Sequence, residues 1–266
     1  MDSFIHFHLG SIGKIFSIFF PLALKARKTK VFYLICFLPV IIAMSIKFAR
    51  IYSGEAELEG VFIFSNMIMV VYLQFLILIL SAFFGTSICA EELEGRTLTY
   101  LTTRPIPKSS IILGKYSAYT LLSLLMTGFG VLFSFLVLNV ERLLEMRLYL
   151  LLLRYAAVLS FGLICYSAFF TLIGTFLRKS IIFPLLFGFG WENIVHYFPG
   201  STQKFTIVHY LKSLLPAPSE ERFSFLHFRL EPTPVAKAMG MLFLLTFAFL
   251  ALACFIFSKK EYLFED

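Results

Sequence analysis

The chain has 266 residues, of which 59% are hydrophobic and only 15% charged, whereas a soluble domain is about 45–50% apolar and about 25% charged. That leaves too little polar surface to cover a water-soluble globule, and the 34 Phe and 12 Tyr suit lipid and its interfaces; a soluble enzyme or soluble binding module is excluded. The net charge of +7 does not imply nucleic acid as a partner, because the basic residues sit beside apolar stretches, where they orient a membrane protein and meet anionic lipid.

In chain order, residues 1–30 come first. Ser3, His6, Gly10, Lys14, Ser17, Pro21, Lys25 and Lys28 recur every three or four residues, which is helical spacing. Phe, Ile and Leu fill the opposite face. The pattern predicts an interfacial amphipathic helix ending in the basic run Lys25, Arg27, Lys28 and Lys30, with Pro21 a kink or break; a disordered tail is the other reading. His6, His8 and Lys14 interrupt the apolar residues, and no small-residue cleavage site follows, so no cleavable signal peptide is expected.

A spanning helix needs about 20 mostly apolar residues. The first such stretch is 31–48, containing Pro39, followed by an acidic loop with Glu55, Glu57 and Glu59. The second, 61–90, would be roughly 45 Å long against a hydrocarbon core of about 30 Å, so it should tilt or project into the cytosol. After the polar segment 91–115 come a third span at 116–140, a short loop, and a fourth at 148–177. Arg178 and Lys179 form a basic turn before the fifth, 181–198. A polar stretch, 199–234, is broken by Pro199, Pro216, Pro218, Pro232 and Pro234. The sixth span is 235–257, with Lys259 and Lys260 beyond it. The expected fold is an all-α integral membrane protein with a single transmembrane domain, 1–266, of six spans.

Lys25–Lys30, Arg96, Arg104, Lys108, Lys115, Arg178, Lys179, Lys259 and Lys260 fall on one side of this arrangement. The positive-inside rule makes that side cytosolic, with both termini in the cytosol and 199–234 outside.

Catalytic signatures are missing. The two aspartates are Asp2 and Asp266, so no Asp-rich motif can hold Mg²⁺ for prenyl or phosphatidyl transfer. There is no HExxH and no GxSxG. Gly10-Ser-Ile-Gly-Lys14 lacks phosphate-loop spacing and follows no strand, so this chain is not expected to hydrolyse ATP. Cys36, Cys89, Cys165 and Cys254 lie in or at the ends of apolar spans without a CxxC pair, which argues against disulfides and zinc.

Polar residues within the spans are candidate pathway or gate groups. Asn66, Gln74, Ser81 and Gly85 are spaced to share one face of the second span, as are Thr120, Ser123, Thr127 and Ser134 on the third. Small and polar residues also serve simply to pack membrane helices, and both readings stand. Glu192 is an ionisable group within the fifth span, and such groups are functional by default. His196 lies one turn on, on the same face. The pair reads as an outer gate or polar binding patch, or else as a helix end already meeting outside water. His196, His209 and His227 lack other ligand spacing, so no metal site is expected.

The segment Ala90–Lys115 is a charged helix–turn–helix between two spans. Glu91, Glu92 and Glu94 end the long helix and Gly95 permits a turn. Thr97 to Thr103 can form a short helix that Pro105 and Pro107 stop, and Ile111 and Ile112 re-enter the membrane with Gly114 and Lys115 at the boundary. Physics alone fits either a rigid docking element or a plain solvated loop.

This stretch resembles the signature of ABC-2-type transporter permeases. Glu91, Glu92, Gly95, Thr97, Leu98, Leu101, Pro105, Ile111, Gly114 and Lys115 match it position by position, and Arg96 is an insertion where many members run Gly-Thr directly. The resemblance implies a permease subunit of an ABC exporter in the cell (inner) membrane, working as a dimer with a second copy or a related permease. It further implies two separate ATPase subunits that hold ATP and Mg, while this chain binds no cofactor and is not itself an enzyme. Residues 91–115 would be the coupling helix in a groove of the ATPase, with Glu91 and Glu92 pairing with basic residues there or with Lys25–Lys30. A membrane-embedded enzyme acting on lipid or isoprenoid substrates and a non-transporting scaffold are the alternatives.

Overall fold

The computed structural model describes residues 2–53, 60–94, 107–176, 186, 188, 190–192, 201–215 and 233–259. Among these residues every regular element is helical. Helix α1 covers Asp2–Lys25 and runs unbroken through Pro21. A single residue, Ala26, separates it from α2, Arg27–Ser53. Arg27, Lys28 and Lys30, expected at the end of the interfacial helix, therefore form the first turn of α2. The next span is composite: α3 (Gly60–Met67), a π-helix (Ile68–Leu76) and α4 (Ile77–Glu94) run on continuously. Then follow α5 (Lys108–Leu138), α6 (Met146–Phe176), the short α7 (Ile207–Leu214) and α8 (Val235–Lys259).

Among the described residues, five helical stretches are long and apolar enough to cross a membrane: Arg27–Tyr52, Gly60–Ile88, Lys108–Leu138, Met146–Phe176 and Val235–Lys259. The expected span at 181–198 lies mostly outside the described residues. Pro107 precedes α5 with extended backbone, φ −60° and ψ 130°. Proline restricts its own φ and has no N–H, so it fits just ahead of a helix that needs no donor there.

The core is a bundle of α4, α5 and α6. The most extensive packing is between α4 and α6, and two glycines explain it. A Cβ at Gly85 would lie 2.8 Å from Phe170 Cβ and 3.0 Å from the Ser167 carbonyl oxygen, and one at Gly174 would lie 3.0 Å from Thr86 Cα. In lipid, helices associate by close packing and hydrogen bonds rather than by the hydrophobic effect. The missing side chains let the two backbones approach. Replacing Gly85 by Leu should push α4 off α6 and lower stability by about 3 kcal/mol or more. The unfolding midpoint of the detergent-solubilised protein measures this; an unchanged midpoint would show that the crossing does not hold the fold.

Hydroxyl bridges tie α3 and the π-helix to α6 and α5, and α5 to α6. Ser65 and Tyr155 share a hydrogen bond of 2.7 Å, Tyr72 and Ser134 one of 2.9 Å, and Tyr116 donates to the Ile164 carbonyl at 2.9 Å. Such bonds contribute about 0.6 kcal/mol each in membrane bundles. Phe64 fills the space between them, edge-on to Phe135 at 5.3 Å and to Tyr155 at 5.8 Å.

The outer helices have the reverse character. Leu34, Phe37, Ile41 and Phe48 of α2 and Phe243, Leu244 and Phe247 of α8 are exposed. Water would penalise so large an apolar surface, whereas hydrocarbon accepts it. Lys47, near the end of α2, donates to the Val137 carbonyl at 3.0 Å and so satisfies one of the free acceptors at the C-terminal end of α5.

Candidate functional site

Two regions carry the functional groups anticipated from sequence. The first is the connection between α4 and α5. Glu91 and Glu92 lie on the last turns of α4, with their side chains outside the described part. Gly95, Thr97, Leu98, Leu101 and Pro105 also lie outside the described residues. Gly114 and Lys115 are described, and they face α1. A Cβ at Gly114 would sit 2.7 Å from Ile15 Cβ and 3.1 Å from the Ile12 carbonyl oxygen. Lys115 is buried, with its Nζ 4.4 Å from the centre of the Phe19 ring, a cation–π geometry. The glycine thus lets α1 lie directly on α5, and the lysine ties that contact to an aromatic face.

The second region surrounds Glu192, which is buried. Its Oε1 accepts from the Ile207 N–H and its Oε2 from the Val208 N–H, both at 3.2 Å. Thr206 Oγ1 accepts the His209 N–H at 3.3 Å and donates to the Gln203 carbonyl at 2.7 Å. The first three N–H groups of α7 are therefore all satisfied, two by one carboxylate and one by the N-cap threonine. The helix dipole favours a negative group at this end. The buried Lys212 places a positive charge near the carboxylate. His209 Nε2 is 2.9 Å from Thr233 Oγ1, just before α8.

The placement of α7 is informative. Ile207, Val208 and Leu211 are buried, and Leu211 Cδ1 lies 3.0 Å from where a Cβ on Gly162 would be. Gly162 is near the midpoint of the 31-residue α6. Part of the stretch read from sequence as a polar outer segment is therefore packed deep among the helices. Sequence reasoning singled out Glu192 but paired it with His196, which lies outside the described residues. It missed Thr206 and Lys212. The available signal was Thr206 immediately before Ile-Val-His-Tyr-Leu-Lys-Ser-Leu, an N-cap residue followed by an amphipathic turn.

Asn66 and Gln74 are half-buried. Asn66 Nδ2 donates to the Phe62 carbonyl one turn back at 3.1 Å. The nine-residue π-helix lies between Asn66 and Ser81, so the 3.6-residue phase used to place these residues on one face does not carry through. Ser81 and Gly85 pack against α6, where Ser167 Oγ donates to Ser81 Oγ at 3.4 Å. Ser123 donates to the Tyr119 carbonyl in its own helix, and the Ser134 hydroxyl shares a hydrogen bond with that of Tyr72. Among the described residues no three His, Cys, Asp or Glu side chains are grouped to hold a metal.

A helical bundle with lipid-facing outer helices and a buried polar cluster defines a multi-pass membrane protein. A family model described as ABC-2 family transporter protein matches residues 23–191, more than half of the chain, and the chain belongs to that family. Members are transporter membrane subunits that generally work with ABC ATPase subunits. No curated protein matches the chain.

Proposed function

We propose that this chain is the membrane-spanning subunit of an ATP-driven exporter in the inner membrane, with both termini cytoplasmic. The supporting observation is the family match over 23–191, which encloses the whole acidic connection between α4 and α5. In this reading residues 91–115 dock on a separate ATPase that holds ATP and Mg, and Glu91 and Glu92 meet basic residues on it. Closure of the ATPase dimer pushes this connection. Because Gly114 and Lys115 lock the start of α5 to α1, α1 and α5 move as one body. Coupling of this kind requires only that the dock bind one global state better than the other. The Glu192 cluster is the outer gate: it fastens α7 between α6 and α8, and opening a path along α6 requires releasing it.

The test is reconstitution. The chain co-purified with a cognate ATPase should support ATP-dependent transport in proteoliposomes, and transport by the chain alone, without any nucleotide-hydrolysing partner, would overturn the reading.

The permease is proposed to act as a dimer, and α5 supplies a suitable face. Leu125, Phe129, Leu132 and Phe133 are exposed on it, and Gly128 among them has open space where a Cβ would be. Small residues at such positions let helices approach closely in lipid. Gly128→Leu is expected to weaken subunit pairing about tenfold while leaving the monomer folded, since the new side chain meets nothing within the chain. Cross-linking yield against protein-to-lipid ratio measures this, and an unchanged dimer fraction would place the seam elsewhere.

A further inference from the structure

We propose that the junction of α1 and α2 binds the headgroup and one chain segment of an anionic phospholipid from the cytosolic leaflet. The junction encloses a partly open cavity of about 260 Å³ bounded by α1, the start of α2, α4 and α5. Its walls include Phe19, Ala23, Phe83, Phe84 and Tyr119, and Lys28 stands at its edge. Pockets for drug-sized ligands hold about 300–1,000 Å³. This one is smaller, lined mainly by aromatic rings, and suits a stretch of acyl chain rather than a bulky cargo.

Basic residues cluster beside it. Lys25, Arg27, Lys28 and Lys30 are all exposed within two turns of the cavity. Lys115 adds a buried positive charge behind the Phe19 wall. Between Asp2 and Glu55 the sequence contains no acidic residue. A basic cluster beside an apolar slot at a membrane surface is complementary to a ligand with an anionic head and an apolar tail. The Thr29 hydroxyl, bonded to the Ala23 carbonyl at 2.6 Å, holds the turn that sets the basic rim over the aromatic slot.

Trp191 is the single tryptophan, so Trp191→Phe gives a silent background. Phe83→Trp in that background places a fluorophore in the cavity wall. The full chain is reconstituted in vesicles containing phosphatidylglycerol or phosphatidylcholine with identical brominated chains. Phosphatidylglycerol should reach half-maximal quenching at a mole fraction at least fivefold lower than phosphatidylcholine. Lys28→Gln with Arg27→Gln, both at exposed positions, should erase that preference, by about fivefold for each charge removed. Ala23→Leu, which fills the slot, should reduce quenching by both lipids. Millimolar inorganic phosphate should leave quenching unchanged. Equal quenching by the two lipids, insensitivity to the Lys28 and Arg27 substitutions, or displacement by free phosphate would each overturn the proposal.

Discussion

Reversing Glu91 and Glu92 together to lysine is expected to separate the permease from its ATPase. Both residues end α4, the helix that packs most extensively on α6, so force applied at this end reaches the middle of the bundle. If the two carboxylates face basic residues on the ATPase, reversal turns two attractions into repulsions, and like charges at an interface cost several kcal/mol. Association should weaken on the order of 100-fold, and ATP-dependent transport should fall to background. Glu91→Gln with Glu92→Gln removes the attraction without adding repulsion and should weaken association by a smaller factor. Co-purification at two salt concentrations separates the cases, because an exposed ionic dock loosens as salt rises. Unchanged association and transport in the reversed variant would refute the role of these residues.

The second large effect is expected at Glu192. Alanine there leaves the Ile207 and Val208 N–H groups without their acceptor and removes the negative charge beside buried Lys212. Leaving buried donors without an acceptor costs about 1–3 kcal/mol each, so the alanine variant should lose about 2–5 kcal/mol. Glu192→Gln retains an amide oxygen for one N–H but not the charge, and should cost about 1–3 kcal/mol. Adding Lys212→Met to Glu192→Ala should recover part of the loss, since the stranded cation is then gone. Denaturant midpoints of the purified variants measure all three. An additive double variant, or an alanine variant within about 0.5 kcal/mol of the parent, would mean that this carboxylate does not hold α7 in place.

Much of this molecule is legible in its sequence because lipid imposes a simple rule. A backbone crossing hydrocarbon must satisfy its own hydrogen bonds, so long apolar runs become helices. The five long helices coincide with five of the apolar stretches read from sequence. Their boundaries were less legible. The first span begins at Arg27 rather than near residue 31 because a basic first turn can sit in the interface while the helix continues into lipid. Membership of the permease family was also readable, since the residue types and spacing that carry the resemblance lie within one local segment.

Glu192 shows where local reading stops. Its position in an apolar run marks it as exceptional, but the N–H groups it accepts from lie 15 and 16 positions further along, on a helix of eight residues. So short a stretch has no spanning signal, and the prolines on either side of it, Pro199 and Pro216, read as loop breakers. The π-helix at Ile68–Leu76 is equally silent in the sequence, because nothing in Ile-Met-Val-Val-Tyr-Leu-Gln-Phe-Leu forbids ordinary helix. Its consequence is long-range: it turns Tyr72 toward Ser134 and puts Asn66 out of phase with Ser81.

Composition and local residue order were enough to place the protein in lipid, to locate its main helices and to reveal its likeness to ABC-2 permeases. Those properties depend on composition and on residues near one another in the chain. Three-dimensional packing alone reveals that α1 lies on α5 through Gly114, that Gly85 and Gly174 bring α4 and α6 together, and that Glu192 caps α7 deep in the bundle. Each of those contacts joins residues far apart in sequence, and its energy depends on shape and distance that residue order alone does not specify.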